Sequence, residues 1–324
     1  MKKKHRIWGA AALYAGIAGA AAYVMNKVAF YLATAKKLLN VQEGQYFDWK
    51  FGRIYYEVSG EGTPLLLIHE LAEDGCGREW DCLRNVLAKH YQIYVVDLPG
   101  CGRSDKEKML YTNYLYTAGI NAFCEKVIGK KTDIVTSGIS STIAVMASHL
   151  SPGLYGKLVL INPESFRHMS KEVSLRERLL SKAMMLPLVG TSIYVIDYLV
   201  SFLKRKQADM LWQVSDPAGR EADAEENIRR EAAFLGGPAA RFARASVIGR
   251  FTDIPFTFAL KDLHAPICLI GGRETENITH TVEGYRYFYR NLQSYLLACG
   301  DMPHIEQMEE TAQIIDEFLM EEAQ

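Results

Sequence analysis

The sequence has no surplus of charge of either sign. Its 37 Lys and Arg stand against 38 Asp and Glu, a formal net charge of −1, so no basic face is available for nucleic acid and no polyanionic partner is expected. Cysteine is sparse. Cys76, Cys82, Cys101, Cys124, Cys268 and Cys299 form no CxxC pair and no His/Cys cluster at metal-ligand spacing, so they read as small hydrophobes and no metal is expected. No glycine-rich phosphate loop follows a strand; Gly60-Glu61-Gly62 and Gly100-Cys101-Gly102 are turn chemistry, and no cofactor is expected. Internal repeats are absent too. Long apolar runs are absent but for one, Ile7–Asn26, which carries no charge and matches the roughly 20 residues that span a hydrocarbon core.

That run follows Met-Lys-Lys-Lys-His-Arg and predicts an N-terminal transmembrane helix, a single-pass anchor over residues 1–40 with its linker. Its Ala and Gly content leaves a cleaved signal segment as the alternative. Lys2, Lys3, Lys4 and Arg6 slightly outnumber Lys27, Lys36 and Lys37, which favours a cytoplasmic N-terminus and places the main domain outside the cytoplasm.

What is present, across 324 residues, is enough for one large domain with an insertion or for two modest ones. Tyr46–Phe51 and Arg53–Ser59 alternate as a hairpin, and Pro64–His69 is apolar throughout. Trp80, Leu83, Val86 and Leu87 then share a helical face, and Tyr91–Leu98 is a second apolar strand closed by Pro99-Gly100. The alternation continues through a helix over 111–129, the strand 132–137, the helix 141–150 and the strand 157–162. Apolar strands separated by helices predict an α/β fold, a mostly parallel central sheet flanked by helices. From 163 to 262 helical patterns follow one another, and strand-and-helix alternation resumes over 263–324. The expected organisation is therefore a core in two parts, 41–162 and 263–324, with an inserted helical cap at 163–262.

Four stretches carry a resemblance to the α/β-hydrolase fold that covers nearly everything beyond residue 45: PLLLIHE, VVDLPGCGRSD, DIVTSGISS and CGDMPHIEQMEE. In that family a serine on a strained G-x-S-x-G turn attacks, and the chain order is Ser, then Asp or Glu, then His. Asp97 and Asp105 are expected as turn and capping groups. With Asp133–Val135 as the strand and Thr142–Ala147 as the helix, the resemblance puts the nucleophile position on Gly138, the acid position on Thr275 and the base position on Asp301. A second register makes Ser140 the nucleophile, with His304 as base and Glu274 or Glu276 as acid, although Ser140, Ser141 and Thr142 also suit the cap of the following helix. The oxyanion loop, where the family has glycine, reads His69-Glu70, and with Ile139 these residues border the expected pocket. A carboxylate there opposes a developing negative charge.

Three functional readings follow. One is a membrane-anchored α/β-hydrolase-fold protein without Ser-His-Asp catalysis, acting through a capped pocket for a small apolar or acyl-type molecule. Another is an active serine hydrolase of small ester, acyl or amide substrates using Ser140 and His304. A third possibility on the same fold is acid/base chemistry by Glu70 with His69 and no acyl-enzyme.

Overall fold

The structure is a computed structural model. It describes residues 2–41, 44–166, 172–187, 189–212 and 219–321, and their side chains except those of 2–7, 9–12, 15, 40, 41, 205–212 and 219–224.

Strands β1 (Gln45–Phe47), β2 (Ile54–Ser59), β3 (Thr63–Ile68), β4 (Tyr91–Val96), β5 (Thr132–Ser137), β6 (Tyr155–Ile161), β7 (Ile267–Gly272) and β8 (Gln293–Leu297) form one sheet in the order β1-β2-β4-β3-β5-β6-β7-β8. β1–β2 and β2–β4 pair antiparallel, and all the other pairs are parallel. The apolar runs are explained by burial on both faces. Leu65 and Leu67 join a core with Val95, Val135 and Ile315, while Leu66 and Ile68 join another with Ile120, Ile143 and Ala144. Successive strand residues point to opposite faces, so a sheet covered on both sides demands an apolar residue at every position.

The covering helices are α2 (Asp81–Leu87), α3 (Asn113–Phe123), α4 (Ser140–Leu150), α9 (Thr257–Lys261), α10 (Ile278–Phe288), α11 (Pro303–Glu306) and α12 (Met308–Met320). Between β6 and β7 lie α5 (Leu175–Met185), α6 (Val189–Trp212), α7 (Gly219–Phe234) and α8 (Arg241–Ile248). These build a separate apolar cluster from Met184, Tyr194, Tyr198, Phe234 and Ala245, which Phe30 and Ala33 of the N-terminal helix join. Phe256, Ala259 and Leu260 join the sheet's core, as does Ala243 of α8.

The N-terminal stretch is helical, as α1 (Lys2–Thr34). The expected transmembrane helix is not found: among the described residues no helix is long and apolar enough to cross a membrane. Ala and Gly stand where a spanning helix would carry larger apolar side chains. The end of α1 is also docked on protein, with the Phe30 and Phe234 rings 5.0 Å apart and Asn26 Nδ2 donating to Ser192 Oγ at 3.0 Å.

Candidate active site

The turn between β5 and α4 is tight because three elements crowd it. Gly138, the first residue after β5, has φ +55°, a left-handed conformation that favours glycine. A Cβ placed on Gly138 would meet the Glu70 carboxyl, 2.6 Å from Oε1. A carboxyl delivered from the loop after β3 thus fills the space into which a side chain at this apex would project.

Ser140, the serine of the second register, lies two residues further on in the first turn of α4. It is fully buried, and its hydroxyl donates to the His69 carbonyl oxygen at 2.6 Å. His304 stands elsewhere, its Nε2 3.1 Å from Glu79 Oε1. The structure therefore does not bring Ser140 and His304 together. Glu274, the proposed acid, is exposed and does not line the cavity at the apex, whereas its neighbour Glu276 does. Thr275 ties loops together: its hydroxyl donates to the Gly300 carbonyl at 3.1 Å and accepts from Asn162 Nδ2 at 3.0 Å. Asp301 is exposed at the cavity rim.

His69 is no base for this pocket. The Leu98 backbone N–H donates to Nε2 at 2.9 Å, so the ring proton belongs on Nδ1, which faces the Glu70 carbonyl at 2.7 Å. Both nitrogens are used, and the ring is 0% exposed. His69 is therefore not an acid/base partner for Glu70; it fixes the backbone of the loop.

The residue the sequence did not single out is Glu79, in the short 3-10 turn Gly77–Trp80 that leads into α2. Its Oε2 accepts the Glu70 backbone N–H at 2.8 Å, and its Oε1 accepts the Ser137 hydroxyl. The N–H at the loop position after β3 is the one the family would offer to an oxyanion, and here a fixed carboxylate occupies it. Burial alone would raise the Glu79 carboxyl, but contact with His304 and the Ser137 hydroxyl outweighs it and holds the group below the ordinary carboxylate value. Glu70 is the opposite case. Burial first, then the negative charges of Glu79, Asp74 and Glu164, push its carboxyl up to about 7, against the opposing pull of Arg229.

His304 is 1% exposed and packs against Trp80, the ring centroids 4.7 Å apart and the planes tilted by 36°. The Glu79 contact is close enough for an ion pair but is not aligned as a hydrogen bond, and among the described residues neither ring nitrogen has an aligned partner. Glu306, two residues on, accepts the backbone N–H groups of Gly300 and Met302 at 2.8 and 3.0 Å.

These groups line a cavity of about 640 Å³. A 220 Å³ recess adjoins it, sharing Glu70, Glu79 and Arg229 as walls and adding Cys76 and Ile228. Arg229 comes from the inserted helix α7, where Glu225 holds its Nη2 at 2.6 Å. Asn162, the residue after β6, pins the far wall by accepting the Gly272 N–H at 3.0 Å and donating to the Asp301 carbonyl at 2.7 Å.

The loop itself is anchored by a buried charge network. Asp97 Oδ1 accepts the Gly77 N–H at 2.6 Å and Oδ2 accepts Arg103 Nε at 2.8 Å; Arg103 also reaches Glu57, which pairs with Arg84. Asp97 is thus a hub rather than a simple turn residue, while Asp105 does hold the turn, accepting the Arg53 N–H at 2.9 Å.

A model of the alpha/beta hydrolase family matches residues 65–314. Among curated proteins, an uncharacterized protein of Mycobacterium tuberculosis is 25% identical over 129 residues, 40% of this chain and 36% of that protein. A pimeloyl-[acyl-carrier protein] methyl ester esterase of Vibrio cholerae is 37% identical over 54 residues, 17% of this chain and 20% of the esterase. The matches thus span well under half of these relatives' length. Among solved structures, a hydrolase from Pseudomonas aeruginosa aligns with a TM-score of 0.68 at 13% identity, over 87% of this chain and 100% of that one. The enol-lactonase from Burkholderia xenovorans aligns at 0.63 and 13%, over 86% and 100%. A membrane phospholipase A, a bacterial virulence factor, aligns at 0.63 and 20%, over 98% of both chains.

Proposed function

The chain belongs to the alpha/beta hydrolase family, and from that premise we propose that it forms no acyl-enzyme and instead holds a small molecule in the cavity beneath its helical cap. One observation carries the reading: the apex is glycine at φ +55°, and the Glu70 carboxyl fills the space a nucleophile would need. Without a nucleophile the covalent route has no first step. The loop N–H bonded to Glu79 compounds this, since a lost oxyanion donor costs on the order of 3 kcal/mol of transition-state stabilisation.

The cavity keeps features of a binding site. It offers a buried histidine without an aligned hydrogen-bond partner, the Arg229 guanidinium, and apolar wall at Ile278 and Met302. The ligand that suits this lining has a short apolar or acyl part and one polar group directed at His304. A thermal-shift screen of small acyl compounds tests the reading. The expected result is stabilisation by one chemical series that His304→Ala and Arg229→Ala reduce, with no turnover of p-nitrophenyl esters above buffer. Ester turnover abolished by Ser140→Ala would restore the serine-hydrolase alternative.

A second reading, acid/base chemistry without an acyl-enzyme, is favoured by the unequal carboxyls: Glu70 is pushed up to about 7 while Glu79 is held low. Such a split assigns Glu70 the proton and Glu79 the charge. It predicts a ligand that is converted as well as bound, with conversion lost in Glu70→Gln and binding retained.

We also propose that α1 holds the protein at a membrane. Trp8, Leu13, Tyr14 and Ile17 are each more than half exposed on α1. Apolar side chains displayed on an uncharged helix stretch suit a lipid environment better than water. Membrane fractionation of cells making the full chain checks it; a chain that stays entirely in the soluble fraction contradicts it.

A further inference from the structure

A second cavity, of about 620 Å³, shares no lining residue with the first and forms a groove between α1 and the start of α6. Ala18, Gly19, Ala22 and Phe30 form one wall, and Pro187 and Val189 contribute to the other. The small residues of α1 make the groove, and its lining is mostly apolar. Two cations break that pattern, Lys27 from α1 and Arg241 from α8.

Arg241 is the anomaly. It is only 6% exposed, yet its hydrogen-bond acceptors are neutral: Nε donates to the Met184 carbonyl at 3.0 Å and Nη1 to the Pro238 carbonyl at 2.6 Å. The guanidinium lies 4.6 Å from the Phe242 ring centroid. Among the described residues no carboxylate pairs with it, and burial lowers its pKa with no acid to oppose the effect. Among the described residues the other buried arginines are compensated: Arg103 by Asp97 and Glu57, Arg84 by Glu57. A buried cation without an anion is costly to keep unless something supplies the charge. Lys27 likewise has no acidic partner among the described residues, and lies 5.8 Å from the Tyr23 ring centroid.

We propose that this groove is a binding site for one molecule of an anionic membrane phospholipid, its acyl chain laid along Ala18, Gly19 and Ala22 and its phosphate paired with Arg241 and Lys27. Charge complementarity selects the head group: a planar guanidinium matches phosphate oxygens, and the nearby ammonium adds a second contact. The apolar wall selects an acyl chain over free phosphate. The exposed Leu13, Tyr14 and Ile17 continue α1 beyond the groove, which puts the site next to the surface from which such a lipid would come. The inference is independent of what the first cavity binds.

The test uses the full chain and three soluble probes by isothermal titration: dioctanoyl phosphatidylglycerol below its micellar concentration, uncharged octyl glucoside, and inorganic phosphate. Phosphatidylglycerol should bind about ten-fold or more tightly than octyl glucoside, since a charge-assisted hydrogen bond contributes about 1.5–3 kcal/mol, and phosphate alone should not bind measurably. Arg241→Gln should remove the preference for phosphatidylglycerol. Ala22→Trp, which fills the groove and leaves Arg241 in place, should weaken both amphiphiles, so a folding defect at Arg241 does not decide the matter. Equal binding of phosphatidylglycerol by wild type and both variants overturns the proposal by placing the lipid outside the groove. Tight binding of inorganic phosphate overturns it by showing an ion site without a lipid.

Discussion

Glu79 Oε2 accepts the Glu70 backbone N–H at 2.8 Å. The two glutamates thereby share the space around the β5–α4 turn. The Glu70 side chain stands above the glycine apex, and the Glu79 side chain takes the donor that would have faced an oxyanion.

Steric coupling between residues 70 and 138 follows. A serine at 138 must take a φ of +55°, which costs a non-glycine residue roughly 1–2 kcal/mol, and its Cβ must displace the Glu70 carboxyl 2.6 Å away. Gly138→Ser should therefore destabilise the protein by about 2–4 kcal/mol in urea unfolding, and Glu70→Gly in the same chain should recover at least 1 kcal/mol of that. Strictly additive effects would mean that the two side chains do not compete for one space.

Stability should fall with rising pH through Glu70. Its folded pKa of about 7 lies above the ordinary 4.5, so below 4.5 both states are protonated and no penalty arises. Between 4.5 and about 7 the unfolded chain ionises while the folded one keeps its proton, and a raised acid of this kind removes on the order of 3 kcal/mol across that window. Urea midpoints at pH 5, 6, 7 and 8 should show the wild type losing stability relative to Glu70→Gln. Parallel profiles would contradict the assignment.

The Asp97–Arg103–Glu57 network should behave as one unit. Asp97 is fully buried, and although burial alone would raise its carboxyl, Arg103 outweighs this and holds it low. Removing one partner strands the other, so Asp97→Ala and Arg103→Leu should each cost about 3–5 kcal/mol, and together less than the sum. Losses under 1 kcal/mol in the single variants would show that solvent reaches the pair.

Ser140→Ala removes one buried hydrogen bond, to the His69 carbonyl. It should cost about 1–2 kcal/mol of stability and leave ligand affinity in the cavity unchanged. A selective loss of binding or turnover with stability intact would give Ser140 a functional role.

Much of the architecture was legible because a sheet buried on both faces leaves a plain trace, with Leu65 to Ile68 apolar without interruption. Gly138 was legible because the strand ahead of it and the helix behind it fix the register of the turn. Glu79 was not. It sits beside Trp80, whose burial marks a helix face, but nothing in the local pattern says that the preceding carboxylate turns toward the sheet's end and meets Ser137 and His304 from distant segments. Arg229 was hidden for the same reason, since its place depends on how a helical insertion folds back over the sheet. His69 was misjudged because its two partners, the Leu98 N–H and the Glu70 carbonyl, are backbone groups that carry no sequence signature. The N-terminal segment misled through its lack of charge, which counts Ala and Gly as apolar without weighing how little area they bury.

Intact-mass spectrometry of the purified full chain after exposure to a fluorophosphonate reports directly on whether any hydroxyl at this site is activated. The unchanged parent mass is the predicted result, in wild type and in Ser137→Ala and Ser140→Ala alike. A single phosphonyl adduct that disappears with either substitution would mean that a working nucleophile stands where Gly138 and Glu70 leave no room for one.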